Sequence, residues 1–247
     1  MSRAYRLVCS LAALALLTGA KAPMDPDNPT CPLNPDWGPA APMTLTPKIV
    51  NGTHVLLAEG EIDKTLPDRL KKAIESDDQL AEIWLKSRGG DAEAGNEAGK
   101  VIRSFPGMLT RIPSGATCFS ACNFVFMGGD RRVVEPGGIF MVHMFTHTNQ
   151  RDVIQESVEE GTKQTVQLIG EIEQSSALLA SDDNDFLIRM GISRKLLTDV
   201  MYKQQAVKTA DNPSTRYCLS IAEDLKYNVM PVEKRVAASS PADPNGK

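Results

Sequence analysis

Hydrophobic and polar positions along the chain follow two patterns that alternate from about residue 50 onward. Short apolar runs predict buried strands, and longer stretches with apolar residues three and four positions apart predict helices. The predicted strands cover residues 50–62, 83–85, 108–112, 132–134, 139–142 and 217–219. The predicted helices cover residues 66–74, 92–105, 118–127, 153–179, 186–201 and 221–227. Alternating strands and helices indicate an α/β fold with a mainly parallel sheet.

The two ends of the chain have a different composition. Arg3 and Arg6 precede an apolar run over residues 7–17, which is too short to span a bilayer and is followed by small residues. This pattern is typical of a cleaved signal peptide, and an uncleaved membrane anchor is the alternative. We therefore expect four segments: a signal peptide (1–22), a Pro-rich extended arm (23–47), one α/β domain (48–236) and a disordered tail (237–247).

Composition and charge exclude several classes of protein. The 247 residues are 42% hydrophobic and 23% charged, which is ordinary for a globular domain. The net charge of −4 and the lack of a Lys/Arg run argue against nucleic-acid binding. No second apolar stretch is long enough to cross a membrane, so we expect no integral membrane segment in the mature chain.

The cysteines suggest an oxidising compartment. Signal-peptide cleavage would remove Cys9 and leave four cysteines: Cys31, Cys118, Cys122 and Cys218. An even number in an exported protein predicts two disulfides, whose pairing stays open among three arrangements. No His is spaced close to a Cys pair in the manner of a zinc finger, so we expect no metal and no cofactor.

Three local patterns could carry chemistry. Ser120 lies between a flexible turn and a small-residue helix, where it is either a nucleophile or a simple helix cap. The Gly89-Gly90 pair follows an apolar strand and either frees backbone N–H groups for a ligand or forms an ordinary tight turn. His143 ends the apolar segment 139–142 and is either a catalytic base or a structural side chain. His54 lies within a strand, where we expect a structural role, and His147 lies in a polar loop, where we expect a solvated ring.

The order and spacing of these patterns resemble a known family. The segments that carry the resemblance are Trp84 to Asp91 with Gly95, Gly115 to Ala121, Gly128 to Arg132, and Phe140 to His143. Together they are similar to the proteolytic subunit of Clp protease and to its exported, predicted periplasmic relatives in the Clp/crotonase superfamily. The specific match covers about sixty residues, and a looser one extends to about 170.

The resemblance implies a spiral of ββα units with a mainly parallel sheet and a long handle-like helix. It implies that Ser120 attacks a carbonyl, that His143 accepts the proton, and that Gly90 and Ala121 supply an oxyanion hole from their N–H groups. Gly89 and Gly115 would support the turns around this site. The helix over 153–179 resembles the handle through which the family forms homo-oligomers.

The third member of the expected triad departs from the family pattern. The family places an Asp just before the segment that matches residues 218–220, where this chain has Thr215 and Arg216. Asp211 is the nearest upstream carboxylate and Asp199 is another candidate. A backbone carbonyl, an amide or a water molecule is the alternative partner for His143.

These features predict an exported, ATP-independent serine peptidase or acyl hydrolase that acts on peptides or unfolded proteins in the periplasm or outside the cell. A catalytically weak or inactive binding or assembly module is the main alternative. An acyl-CoA enzyme conflicts with export, because coenzyme A is cytosolic. A Ser–Lys dyad is disfavoured, because Lys163 lies in a predicted helix, although Lys86 stays open. A cysteine nucleophile would normally be oxidised after export.

Overall fold

The structure, a computed structural model, describes residues 23–148 and 150–231. Its main sheet has five strands in the order β1-β2-β3-β4-β6. These strands are β1 Thr44–Val50, β2 Thr53–Glu59, β3 Leu80–Lys86, β4 Leu109–Ile112 and β6 Arg131–Val134. β1 is an antiparallel edge strand, and the other four are parallel to one another.

A second, three-stranded sheet carries the segments with candidate chemistry. It consists of β5 Thr117–Phe119, β7 Ile139–Val142 and β8 Tyr217–Cys218, in the order β5-β7-β8. β5 and β7 are parallel, so their carboxyl ends meet at one edge of the sheet. Ser120 and His143 each follow the last residue of one of these two strands.

Helices cover the sheets and bury the core. They are α1 Leu66–Glu75, α2 Ala92–Arg103, α3 Cys122–Met127, α4 Arg151–Glu160, α5 Thr162–Met190 and α6 Ile221–Lys226. A π-helical turn, Leu196–Val200, and a 3₁₀ turn, Met201–Lys203, follow α5. Helix α1 shows why the pattern worked, because Leu66, Leu70 and Ile74 are its buried face. The sequence-predicted capping box at α6 is also present, with Ser220 and Glu223 bonded reciprocally.

The fold class predicted from the sequence is confirmed: the chain is α/β with a mainly parallel sheet and a long helix. One predicted strand is divided. Residues 50–62 were expected to form one strand, but the chain turns at Asn51-Gly52 and forms the hairpin β1-β2. Both turn residues have positive φ, +50° and +80°, which matches the Asn-Gly preference of tight hairpins. Residues 44–47 of the predicted arm therefore belong to the main sheet.

The predicted handle helix is also divided. Gly161, with φ +109°, separates α4 from α5, and α5 then runs without a break through Phe186. Its carboxyl end is at Gly191, whose left-handed φ of +71° is the usual helix-terminating conformation. The two helices present several exposed apolar side chains: Val153, Val158, Val166, Ile169, Leu178 and Ile188.

Within residues 23–148 and 150–231, no helix combines the length and apolarity needed to cross a membrane. The predicted signal peptide, residues 1–22, and the predicted tail, residues 237–247, lie outside the described residues.

Candidate active site

The backbone at Ser120 forms a sharp turn between β5 and α3. Ser120 has φ +58°, which is one of three positive values at non-glycine positions in the described chain. A left-handed conformation costs an L-residue about 1–2 kcal/mol, so the surrounding contacts must hold it. The turn lifts the Ser120 hydroxyl out of the strand and leaves it partly exposed, while its neighbours Cys118 and Ala121 are buried.

His143 faces this turn from the next strand. Its Nε2 atom lies 2.6 Å from the Ser120 Oγ, which is within hydrogen-bond distance. The pairing follows from the parallel register, in which Phe119 of β5 is opposite Met141 of β7. The fully buried Asn123 also ties α3 to β7, because its amide Nδ2 donates to the Met141 carbonyl at 2.7 Å.

The Gly89-Gly90 turn packs directly against the Ser120 turn. Gly89 has φ +90°, and a Cβ added there would lie 2.7 Å from the Ser120 Cβ and 3.0 Å from the Ala121 nitrogen. Only glycine allows this approach. The buried Ser87 holds the two segments in register: its carbonyl accepts from the Phe119 N–H and its hydroxyl accepts from the Gly89 N–H.

Two backbone N–H groups in the turns around Ser120, those of Gly90 and Ala121, are candidates for an oxyanion hole. Gly90 pairs with Ile62 in a parallel bridge that uses the Gly89 carbonyl and the Asp91 N–H, and not the Gly90 N–H. Within the part of the chain that the structure describes, neither Gly90 nor Ala121 donates its N–H to a protein acceptor. An oxyanion hole needs donors that are not already paired, so these two N–H groups are candidates for that role. Gly115 lies two residues before β5 begins. Its φ is +79°, and its N–H donates to the Gly137 carbonyl.

Burial lowers the pKa of the His143 imidazole below its usual value, and a backbone hydrogen bond with Met144 partly opposes the shift. No charged side chain contributes to this pKa shift. The ring is therefore neutral at physiological pH and is able to accept a proton from Ser120.

The expected carboxylate partner of His143 is missing from this arrangement. Among the described residues, no Asp or Glu oxygen lies within 4.0 Å of a His143 ring nitrogen. Asp211 is exposed and forms no hydrogen bond or ion pair with the ring, and Asp199 lies in the π-helical turn. At the position suggested by the family pattern, Arg216 instead pairs with Asp25 at 2.5 Å.

The other two histidines lie elsewhere. His54 pairs with Asp77 at 2.7 Å, in agreement with the structural role expected from its position within a strand. His147 is in the segment after the dyad, where its Nδ1 lies 3.3 Å from the Gln150 side chain.

The four cysteines form two disulfides, Cys118–Cys122 and Cys31–Cys218. Cys118 is in β5 and Cys122 begins α3, so the first disulfide closes across the Ser120 turn. The second disulfide fastens the N-terminal arm to β8. Within the described ranges, no group of three His, Cys, Asp or Glu side chains is arranged to hold a metal ion.

A cleft of about 640 Å³ lies between the segment after Gly90, the segment after His143 and helix α5. Asp91 and Ala92, which follow Gly90, form one side of it, and Phe145 and His147, which follow His143, form another. Residues of α5, including Leu178, complete the lining. Ser120 and His143 do not line the cleft themselves, but its walls include residues that directly follow Gly90 and closely follow His143 in the chain.

No protein-family model and no curated protein matches the sequence. Among solved structures, the chain is similar to a mutant of ClpP1 from Listeria monocytogenes, with 17% identity, a TM-score of 0.48, and coverage of 71% of this chain and 88% of that one. It is also similar to a mutant of a membrane-bound stomatin-specific protease, with 16% identity, a TM-score of 0.45, and coverage of 72% and 76%. An enoyl-CoA hydratase from Shewanella pealeana has 12% identity, a TM-score of 0.43, and coverage of 75% and 66%. These likenesses concern the backbone fold alone, and no residue role in this chain rests on them.

Proposed function

We propose that the protein is an exported serine peptidase or acyl hydrolase that cleaves peptides, with Ser120 as nucleophile and His143 as general base. The observation that carries the proposal is the 2.6 Å contact between the Ser120 Oγ and the His143 Nε2. A nucleophile and a base within hydrogen-bond distance are the minimum requirement for activating a serine hydroxyl.

The chemistry follows the order of these contacts. The Ser120 Oγ forms a bond to the substrate carbonyl carbon while its proton moves to the His143 Nε2. The negative charge that develops on the carbonyl oxygen is stabilised by the N–H groups of Gly90 and Ala121. The imidazolium then gives its proton to the leaving amine or alkoxide as the acyl bond to that group breaks. A water molecule next attacks the acyl carbon while its proton moves to the His143 Nε2. That proton passes to the Ser120 Oγ as the acyl group leaves.

The absence of a carboxylate next to His143 affects the rate more than the mechanism. A carboxylate orients the base and stabilises the imidazolium, but an enzyme without one keeps part of its rate enhancement from the oxyanion hole and from substrate binding. We therefore expect slow turnover on short or unfolded peptides that enter the cleft beside Asp91 and Phe145.

Two disulfides support the proposed compartment, because such bonds persist in the periplasm and outside the cell. The exposed apolar side chains of α4 and α5 support a homo-oligomer formed through residues 153–179.

A fluorophosphonate probe tests the proposed function, because it reacts with activated serine hydroxyls. We expect covalent labelling of the wild type at Ser120 and no labelling of Ser120→Ala. Ser104→Ala is a matched control, because Ser104 is an exposed serine at the end of α2 and its loss should leave labelling unchanged.

His143→Gln separates activation from simple exposure of the hydroxyl. It should keep the fold and lose most of the labelling rate. An unlabelled wild type with native circular dichroism and both disulfides intact would refute the proposal and favour the alternative, a binding or assembly module that keeps the fold without catalysis.

A further inference from the structure

One face of the His143 ring is covered by an aromatic side chain. The Phe119 ring lies with its centroid 4.7 Å from that of His143, at an interplanar angle of 36°. Phe119 is the residue directly before Ser120. The nucleophile and the aromatic side chain that packs on its base are therefore adjacent in the sequence.

The Phe119 ring is itself held from behind by the N-terminal arm. Trp37 packs edge-on against it, with centroids 5.2 Å apart and an angle of 64°. The guanidinium of Arg216 lies 5.7 Å from the Trp37 ring centre and pairs with Asp25 of the same arm. Each residue in the series Asp25, Arg216, Trp37, Phe119 and His143 therefore contacts the next one.

The arm is firmly attached at this place. Cys31 is bonded to Cys218, Thr30 accepts a hydrogen bond from the Cys218 N–H, and Asp36 forms a parallel bridge with Ala116 just before β5. Cys31, Cys218 and Met141 form a small buried cluster, against which Trp37 and Phe119 pack. Because Met141 belongs to β7 and Cys218 to β8, this cluster joins the arm to the sheet whose strands precede Ser120 and His143.

We infer that Phe119, supported by Trp37 of the arm, is a positioning residue for the general base and supplies part of what the missing carboxylate would. The inference rests on the proposed function. The N-terminal arm then contributes to catalysis, because its Trp37 supports the Phe119 ring that contacts His143.

Two physical effects support this role. Contact with a fixed ring limits rotation of the imidazole about its side-chain bonds, which keeps Nε2 directed at the Ser120 Oγ. The electron-rich face of an aromatic ring also attracts a cation, so it favours the imidazolium that forms when Ser120 gives up its proton. A carboxylate would supply the same two effects, orientation and stabilisation of the imidazolium.

Phe119→Leu keeps an apolar side chain against His143 and removes the aromatic face. We expect the His143 pKa, followed by NMR titration, to fall by at least about 0.4 units, the value for an exposed cation–π contact, because the His143 ring is partly buried. We expect kcat to fall at least about twofold, with little change in KM. Phe119→Tyr restores the aromatic face and should restore both quantities.

The two tryptophans provide a matched comparison for the arm. Trp84 in β3 is also half-buried and also has an arginine, Arg111, 5.7 Å from its ring centre, but it belongs to the five-stranded sheet. Trp37→Leu should lower kcat and the His143 pKa in the same direction as Phe119→Leu. Trp84→Leu should change neither, although it alters a similar contact.

The results separate this inference from the proposed function. A labelled, active wild type combined with an unchanged kcat and His143 pKa in folded Phe119→Leu overturns the inference alone. Equal losses of kcat in Trp37→Leu and Trp84→Leu overturn the role of the arm. A wild type without labelling or hydrolysis overturns the proposed function, and the NMR titration then still decides whether the ring contact controls His143.

Discussion

The two disulfides close loops of very different length, and this difference predicts separate effects on stability and activity. Cys31 and Cys218 are 187 positions apart in the sequence, whereas Cys118 and Cys122 are 4 apart. In the chain-entropy model, the long loop contributes about 5 kcal/mol to the free energy of unfolding and the short loop about 2 kcal/mol. Both are upper values, because residual structure in the unfolded chain reduces them.

The assay compares two double variants, Cys31→Ala/Cys218→Ala and Cys118→Ala/Cys122→Ala, by urea unfolding under identical conditions. Alanine is the substitution of choice because all four cysteines are buried. We expect the first variant to lose more of the free energy of unfolding than the second. The second should instead lose most of its labelling rate with the fluorophosphonate probe, because its disulfide holds Ser120 at φ +58°.

Equal losses of stability in the two variants would refute the loop-length reasoning. Undiminished labelling of the folded Cys118→Ala/Cys122→Ala variant would refute the idea that the short disulfide holds the Ser120 turn.

Three further predictions follow from the pKa values and the exposed surface. Because burial lowers the pKa of His143, kcat/KM should stay constant from pH 7 to 8 and should decrease only as the pH falls through a value below 6.5. An inflection above pH 7 in the pH–rate profile would contradict this. Burial, reinforced by the charge of Asp182, raises the pKa of Asp183 to about 7. The folded state therefore keeps a proton that the unfolded chain loses near pH 4. As a result, the free energy of unfolding decreases as the pH rises from about 4 to 7. Asp183→Asn should therefore gain up to about 4 kcal/mol relative to the wild type between pH 4 and 8 in urea unfolding, and a pH-independent difference would exclude the effect. Ile169→Glu places a charge on the exposed apolar side of α5 and should convert an oligomer to monomers in light scattering, whereas a wild-type monomer would contradict the proposed assembly.

Local signals in the sequence predicted the main parts of the site because each depends on its own neighbours. The Gly89-Gly90 turn, the small residues around Ser120 and the apolar strand before His143 are short patterns, and the parallel register brings their ends to one edge. The roles of these residues stay predictions until the labelling experiment is done. The Asn51-Gly52 pair is a hairpin signal, but the apolar positions that continue on both sides of it predict a single strand, and the structure forms the hairpin instead.

Long-range contacts could not be read in the same way. Four cysteines allow three pairings, and only the folded arm shows that Cys31 meets Cys218. Asp211 is close to Cys218 in the sequence, but the chain between them leaves Asp211 exposed and away from the His143 ring. The contact of Trp37 with Phe119 joins residues more than eighty positions apart and has no periodic pattern to reveal it.

The nesting of the two disulfides has a consequence for how the chain matures. Synthesis proceeds from the N-terminus, so the Cys31 thiol encounters Cys118 and Cys122 long before Cys218 exists. The native pairs form without rearrangement if Cys31 stays unpaired until Cys218 is available. Early joining of Cys118 to Cys122, which their short separation favours entropically, removes the two wrong partners of Cys31. A premature bond from Cys31 to either of them must be exchanged later through a mixed disulfide, and that reaction takes minutes to hours without a catalyst. The order of bond formation therefore sets how fast this protein matures: closing the short Cys118–Cys122 loop first forms the Ser120 turn directly, and mispairing of Cys31 delays that turn until the wrong bond has been exchanged.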